Sequence, residues 1–385
     1  MSQLHIAWLG KKTPFCGNVT YSREITNALM GRHKISFLHF AEEDSDSDKW
    51  PQYREVSLPF LYKSQVYTIP TLQSRKILID SLRELKPDLV HASLTLSPLD
   101  FVLPEICQEL NLPLVATFHT PYARKGAKLK SGTQYLAYQL YSPFLANYDR
   151  VIVFSEIQRE LLARMGVSPS QVAVIPNGVD EQKYSPGTSN LKSQFNAKHI
   201  FVYQGRIALE KNVEALLRAW QKANMGPDCK LLIVGDGPLR TSLEPFYDSE
   251  SGIIWLGFVA DEQRRIEILR GSDVFILPSL AEGLSLSLLE AMACGIACIA
   301  TDVGADGEVL EGGAGIVVNP QRVKTELQTL LPLLRDHKDF TSSLGRNARA
   351  RIVEKYTLSR NIVQLEELYQ QMLDEKSIYS LKRRA

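Results

Sequence analysis

At 385 residues the chain is longer than one hydrophobic core ordinarily supports, so two domains are expected. Its 44% hydrophobic and 23% charged residues exclude wholesale disorder, and a formal net charge of +1 argues against nucleic acid as a partner. Cys16, Cys107, Cys229, Cys294 and Cys298 never form a Cys-x-x-Cys pair and read as small buried side chains of a reducing compartment, and no run of about 18 apolar residues is present to span a membrane.

The opening MSQLHIAWLG reads as a first core strand rather than a secretory signal. Candidate strands follow at 4–10, 35–40, 88–93, 114–120, 150–155 and 172–178, separated by helical patterns such as SREITNALMGRH and QSRKILIDSLRELK. Regular alternation of strand and helix signifies a parallel sheet covered on both faces. KYSPGTSNLKSQFNAKH (183–199) breaks the rhythm with Pro, Gly, Ser and Asn and reads as a linker. The alternation then restarts at 200–205, 230–237, 252–259, 273–279, 296–301 and 314–320, and a last helical pattern (358–373) leads to the basic tail KRRA. Both halves begin alike: IAWLGKKTPFCGN and FVYQGRIALEKN each run strand, glycine, basic residue, loop, helix. The expectation is an α/β protein of two Rossmann-like domains, 1–185 and 186–356, with 357–385 as C-terminal helix and tail. A site is expected where the carboxyl ends of both sheets converge.

GRIALEKN places Gly205, Arg206, Lys211 and Asn212 just after a strand and at the opening of a helix. A turning glycine, a helix N-terminus and two cations suit a diphosphate, and a solvated charge cluster with Glu210 as local partner is the bland alternative. EGLSLSLLEAMACG puts Glu282 in the loop before a helix and Glu290 within it, with Ser285 or Ser287 as cap and Gly295 as stop. The two carboxylates then face one ligand, and a carboxylate accepts hydrogen bonds from paired hydroxyls such as those of a ribose. The amides at 283–285 are candidates for sugar or phosphate oxygens. A purely structural Glu290 leaves the loop glutamate and its neighbouring glycine unexplained.

With VIPNGVDEQKYSPG, VGDGPLR and LGFV, these motifs strongly resemble the retaining glycosyltransferases of family 4, most specifically over residues 150–320. The resemblance implies the GT-B fold, with the C-terminal helix crossing back to the N-terminal domain. It also implies a nucleotide-sugar donor, taken as a UDP-hexose, that is substrate rather than cofactor. Arg206 and Lys211 are implied to neutralise the diphosphate and Glu290 to hold the ribose. Glu282 and the amides of Gly283, Leu284 and Ser285 address the transferred sugar, and Phe258 and Val259 meet the base through their backbone. His119 stands at a strand end where relatives carry a histidine near the reacting sugar. A lone histidine is more often structural, so its role as a hydrogen-bonding group in the site rests on the resemblance. Ser285 stands where many members have glycine, and Gly17 is a single glycine where relatives often show two. No metal is expected: DSDSD (44–48) contains Asp-x-Asp but reads as a solvated acidic loop.

From Leu110 to Tyr148 there is no Asp or Glu, while Arg124, Lys125, Lys128 and Lys130 precede TQYLAYQLYSPFLANY. A basic loop before an aromatic amphipathic stretch suits an anionic membrane surface; a flexible acceptor loop before a core helix is the alternative. GKKTPFCGNVTYSREITNAL and VHASLTLSPLDFVLPEI resemble members that build membrane glycolipids, of the digalactosyldiacylglycerol synthase type. That resemblance implies galactosyl transfer from UDP-galactose to a galactolipid by a cytoplasmic enzyme peripheral to a membrane. Other readings are transfer to a soluble or polysaccharide acceptor, a GT-B sugar-nucleotide epimerase, and a non-catalytic nucleotide-sugar sensor.

Overall fold

A computed structural model describes residues 3–13, 16–40, 54–64, 67–122 and 132–382. The chain forms two compact units. Unit 1 gathers residues to Thr120, 131–177 and 358–385, and unit 2 gathers 121–130 and Gly178–Thr357.

The core of unit 1 is a seven-stranded sheet of β1 (His5–Gly10), β2 (Lys34–His39), β3 (Arg54–Ser57), β6 (Leu89–Ser93), β7 (Leu114–Thr117), β8 (Arg150–Val153) and β9 (Val172–Val174). Every pairing is parallel, in the order β3-β2-β1-β6-β7-β8-β9. An antiparallel hairpin, β4 (Phe60–Lys63) and β5 (Thr68–Pro70), stands outside it. The helices are α1 (Gly17–Met30), α2 (Leu72–Leu85), α3 (Pro98–Glu109), α4 (Gly132–Leu145) and α5 (Glu156–Arg164).

Unit 2 holds α6 (Leu191–Gln194), β10 (His199–Gln204), α7 (Val213–Ala223), β11 (Cys229–Val234), α8 (Arg240–Leu243), β12 (Ile253–Gly257), α9 (Glu262–Gly271), β13 (Val274–Leu277), α10 (Leu286–Ala293), β14 (Ala297–Thr301), α11 (Asp306–Leu310), β15 (Ile316–Val318), α12 (Val323–Asp336) and α13 (Lys338–Lys355). Its six strands are again parallel, in the order β12-β11-β10-β13-β14-β15.

These strands form because their apolar runs are buried on both faces: Phe201, Val202, Tyr203, Leu231, Leu232, Ile233, Phe275 and Ile276 are wholly inaccessible. Each contributes about 1.5–3 kcal/mol by leaving water. Helices cover the sheet through period-3.6 stripes. Val213, Leu216, Leu217 and Trp220 of α7 meet Val323, Leu327, Leu331 and Leu334 of α12. The last helix, α14 (Leu358–Lys382), runs beyond the expected 373 and belongs to unit 1. There Tyr369 Oη lies 2.5 Å from His91 Nδ1 and Glu366 receives Arg32 at 2.8 Å. Among the described residues no helix is long and apolar enough to cross a membrane.

Sequence and structure differ in four places. β3 and the β4–β5 hairpin carry no clear alternation and were not expected. Strand 114–120 ends at Thr117, so His119 lies beyond it. The stretch 183–199 is not a free linker: it contains α6, and Arg349 and Arg270 of unit 2 bond the carbonyls of Tyr184 and Ser185 at 3.0 and 2.8 Å. The chain passes between units at Asn177–Gly178, upstream of the 185/186 border read from composition.

Candidate active site

In each sheet the strand order reverses beside the first strand, between β1 and β6 and between β10 and β13. Loops at the carboxyl ends of such neighbours leave a crevice for ligands. In unit 2 those loops are 205–212 and 278–285, and they are tied together. Leu280 N–H donates to Glu210 O at 2.7 Å, and Asn212 Nδ2 to Pro278 O at 3.2 Å.

Across this junction Lys211 Nζ donates to Glu282 Oε1 at 2.6 Å, and Ser279 Oγ reaches the same oxygen at 2.7 Å. Glu282 is 7% exposed, so its carboxylate depends on these partners. Its loop is clamped from outside. Tyr122 N–H donates to Glu282 O at 3.1 Å, Gly304 N–H to Tyr122 O at 3.0 Å, and Ala305 N–H to Gly283 O at 2.7 Å. Gly304 makes the clamp possible: its φ is +57°, and a Cβ there would fall 2.4 Å from the carbonyl oxygens of Glu282 and Gly283.

Arg206 is half-buried and ion-paired to Glu210. That partially exposed pair is worth under about 1 kcal/mol, so an incoming diphosphate competes with Glu210 at little cost. The helix after this loop starts only at Val213, beyond a 3₁₀ turn (Leu209–Lys211), so Lys211 precedes it. Gly205, expected as a turning glycine, has no positive φ. The demand falls on Gly235, at φ +131°, where a Cβ would lie 1.9 Å from Gly205 O.

Ser285 caps α10, its Oγ accepting from Leu288 N–H at 3.3 Å, and Gly295 at φ +74° follows the helix as expected. Glu290 is buried one helical turn in, and its Oε2 accepts from Gln204 Nε2 at 2.8 Å. The amide of Ser285 is not available to a ligand. It donates to Oδ1 of the wholly buried Asp306 at 2.8 Å, which corrects the expectation that this N–H addresses the sugar. Burial, and then the nearby Glu282, push the Asp306 carboxyl well above its ordinary value. Phe258 is exposed after β12, but the carbonyls of Gly257 and Val259 already accept from Gly235 N–H (2.7 Å) and Arg265 Nη1 (2.9 Å).

In unit 1, Gly17 is the exposed first residue of α1, with open space where a side chain would be. Asn18 Nδ2 donates to Leu94 O at 2.9 Å, leaving its Oδ1 to accept from Ser93 Oγ at 2.9 Å. Because Ser93 gives its proton to Asn18, the 2.9 Å contact from Ser93 Oγ to His119 Nε2 makes Nε2 the donor and Nδ1 the acceptor. Half-buried His119 packs edge-on to Tyr21, and desolvation holds its basicity well below the ordinary imidazole value. It is a neutral side chain at physiological pH.

Arg124, Lys125, Lys128, Lys130 and the DSDSD segment lie outside the described residues. Among the described residues no three His, Cys, Asp or Glu side chains gather as a metal site. A cavity of about 710 Å³ opens at the opposite, amino-terminal edge of the unit 1 sheet, beside Leu114 and Arg150, and contains none of the candidate residues. Gln204, Asp306 and Tyr122 were missed from sequence because each acts through a partner distant in the chain, and Ser279, only three residues from Glu282, sits in no recognisable spacing.

Residues 16–183 match the family model Glycosyltransferase Family 4, and residues 198–336 match Glycosyl transferases group 1. The UDP-Gal:alpha-D-GlcNAc-diphosphoundecaprenol alpha-1,3-galactosyltransferase of Escherichia coli is 27% identical over 84% of this chain and 85% of its own. The sulfoquinovosyl transferase SQD2 of Arabidopsis thaliana is 26% identical over 78% of this chain and 59% of its own. Among solved structures, HepE of Anabaena in complex with UDP superposes with a TM-score of 0.75 at 18% identity, covering 96% of this chain and all of that one; the same protein with UDP-glucose gives 0.74. The two matched domains, the two Rossmann-like sheets of a GT-B fold and the charged junction in unit 2 make this chain a glycosyltransferase of the family 4 and group 1 type, a hexose-transferring enzyme that uses a nucleotide sugar.

Proposed function

We propose that the enzyme moves galactose from UDP-galactose to a membrane galactolipid with retention of anomeric configuration. The observation that carries the donor half is the junction in unit 2, where Lys211 pairs with Glu282, Arg206 with Glu210 and Gln204 with Glu290. Arg206 exchanges Glu210 for the diphosphate, Lys211 adds a second positive charge, and Glu290 accepts from the ribose hydroxyls. As the bond from the sugar C1 to the phosphate oxygen breaks, negative charge grows on the departing UDP. Cations fixed in place beforehand stabilise it without reorganisation. The acceptor oxygen bonds C1 on the face the phosphate leaves, and its proton passes to the departing phosphate oxygen. His119, neutral and held by Ser93, serves as a hydrogen-bonding group rather than a nucleophile.

Support for the lipid acceptor comes from the Escherichia coli relative, whose printed substrates are UDP-Gal and a diphosphoundecaprenol-linked sugar. It also comes from α4, directly after the basic segment: Leu136 and Leu140 are exposed one turn apart, while Tyr138 and Tyr141 face the core. We place the enzyme peripherally on the cytoplasmic face of a membrane, with Arg124, Lys125, Lys128 and Lys130 toward anionic lipid.

The test is incubation of the purified chain with UDP-galactose or UDP-glucose against a panel of glycolipids and oligosaccharides, with product linkage read by NMR. An α-galactosylated galactolipid is the expected product. Glucose transfer, or transfer only to a water-soluble acceptor, overturns the galactolipid reading. Isomerised UDP-sugar without acceptor overturns transfer itself.

A further inference from the structure

The hairpin in unit 1 has no counterpart in unit 2 and has an unusual surface. Leu61 is 75% and Leu72 fully exposed, and Tyr62, Tyr67 and Ile69 are each exposed to between 40 and 49%. Five large apolar side chains within twelve positions (61–72) are exposed on one hairpin and the first residue of the helix after it, a concentration unlike scattered surface residues. The rings of Tyr62 and Tyr67 lie 5.4 Å apart across the hairpin.

This patch is held out by design of its underside. Lys63 turns inward, with Nζ 2.5 Å from Thr13 Oγ1, 2.9 Å from Phe40 O and 4.7 Å above the Phe60 ring. Lys11 Nζ donates to Ser64 O at 3.3 Å, and Thr71 N–H to Pro59 O at 3.2 Å. Thr68 N–H donates to Leu96 O at 3.4 Å, and Leu96 itself sits at φ +52°, a strained conformation for leucine. A polar floor therefore fixes the strands while their apolar side chains face water. Leu58 N–H bonds His39 O at the carboxyl end of β2, so the hairpin rises from the same sheet edge as Gly17 and His119.

Charge selects the occupant. Residues 56–79 contain no Asp or Glu but do contain Lys63, Arg75 and Lys76. Arg75 reaches Glu105 of α3 at 3.2 Å, an exposed pair worth little, and Lys76 is exposed. Exposed leucine and tyrosine beside cations without acids match the composition of a bilayer interface.

We propose that the β4–β5 hairpin and the first turn of α2 form a membrane-contact surface separate from segment 124–145. It seats Leu61, Tyr62, Ile69 and Leu72 among the headgroups of a bilayer containing anionic lipid. The inference extends the peripheral-membrane reading but does not require the acceptor to be a galactolipid, because its read-out is partitioning rather than transfer.

The test uses the full chain and sedimentation with vesicles of phosphatidylcholine alone or with about one third phosphatidylglycerol. Leu61→Ser with Leu72→Ser should weaken partitioning about tenfold or more. Arg75→Gln with Lys76→Gln should weaken it about tenfold on the anionic vesicles only. Both variants should keep the wild-type melting curve and rate of UDP release in solution. Leu61→Trp, read against the parent, should gain fluescence that is blue-shifted by vesicles and quenched by brominated lipid. Wild-type failure to bind vesicles overturns the proposal. So does unchanged binding by the serine variant, which leaves contact to other segments. Loss of a dimer in lipid-free solution on serine substitution overturns it in favour of a second copy as occupant.

Discussion

The sheets of unit 1 and unit 2 share parallel pairing and a reversal of strand order beside their first strand, yet the side chains gathered at their carboxyl edges differ. In unit 2 the loops hold Arg206, Glu210, Lys211 and Glu282 in ion pairs, braced by glycine backbones packed against one another. In unit 1 the corresponding edge carries a neutral histidine in a chain of uncharged hydrogen bonds and an apolar hairpin, and its charged groups, Lys11 and the Lys12–Glu55 pair, lie in and beside the loop after β1. The topology fixes where a site stands, and the loops decide its chemistry. A charged edge suits a diphosphate, whose charge must be matched as it departs. The uncharged His119–Ser93–Asn18 chain suits a sugar hydroxyl.

The sharpest way to break this contrast is to remove charge from unit 2. Lys211→Met should lower kcat/KM for the donor about 10²–10³-fold, measured by UDP release. It should also cost about 3 kcal/mol of stability, because Glu282 is left buried without its cation. Lys211→Met with Glu282→Gln should restore the thermal midpoint and not the activity. If the double variant regains activity, the pair is structural and the diphosphate is bound elsewhere. A smaller loss is expected at Glu290. Replacement by Ala should raise the donor KM about 10–100-fold, the range for a charge-assisted hydrogen bond, with kcat changed less. An equal fall in kcat and kcat/KM would place Glu290 at the transferred sugar rather than the ribose.

Removing the ring from unit 1 should do less. His119→Ala is expected to lower kcat about tenfold, and His119→Gln, which keeps a donor and an acceptor, to retain most activity. Desolvation depresses this imidazole, so it stays neutral through physiological pH. The kcat/KM profile should therefore show no inflection near pH 6.5. An inflection there that vanishes in His119→Gln would mean a protonated histidine takes part, and the neutral character assigned to His119 would fail.

How much of this could be read beforehand follows the distance over which each signal acts. Alternating apolar runs located both sheets, and Glu282, Glu290, Arg206 and Lys211 stood out through local spacing. Even Gly295 was legible, since a helix stop is a local event. The Lys211–Glu282 pair joins residues far apart in the chain, so the residue types were visible and the partnership was not. Asp306 captures the Ser285 amide from the far side of β14, and Tyr122 clamps Glu282 from before α4; no periodicity reports such contacts. The hairpin was invisible for another reason. A pattern reading assigns apolar residues to the core, whereas Leu61 and Leu72 are held outside it by hydrogen bonds beneath.

The smallest predicted effect concerns the buried supports of the unit 1 edge. Asp100 is buried at the start of α3, where its Oδ2 accepts from Ser97 N–H (3.0 Å), Thr95 N–H (3.3 Å) and Tyr141 Oη (2.8 Å). Desolvation outweighs these bonds and pushes its carboxyl from 3.8 up to about 6. A raised carboxyl resists ionising in the fold, so its contribution to stability is lost as pH rises from about 4 to 6. His91, buried between Tyr369 and Thr117, is pushed from 6.5 down to about 3 by desolvation, so its contribution is lost as pH falls through that range. Between pH 4 and 6 the two slopes oppose each other at about 1.4 kcal/mol per pH unit each. Asp100→Asn removes one of them. Relative to wild type, the variant should lose stability about 1.4 kcal/mol faster per unit of acidification over that window, measured by urea unfolding at half-unit steps. His91→Gln should tilt the curve the other way. A variant that merely shifts the curve without changing its slope would show that Asp100 is ionised throughout this window, and that its bonds to Ser97, Thr95 and Tyr141 outweigh its desolvation.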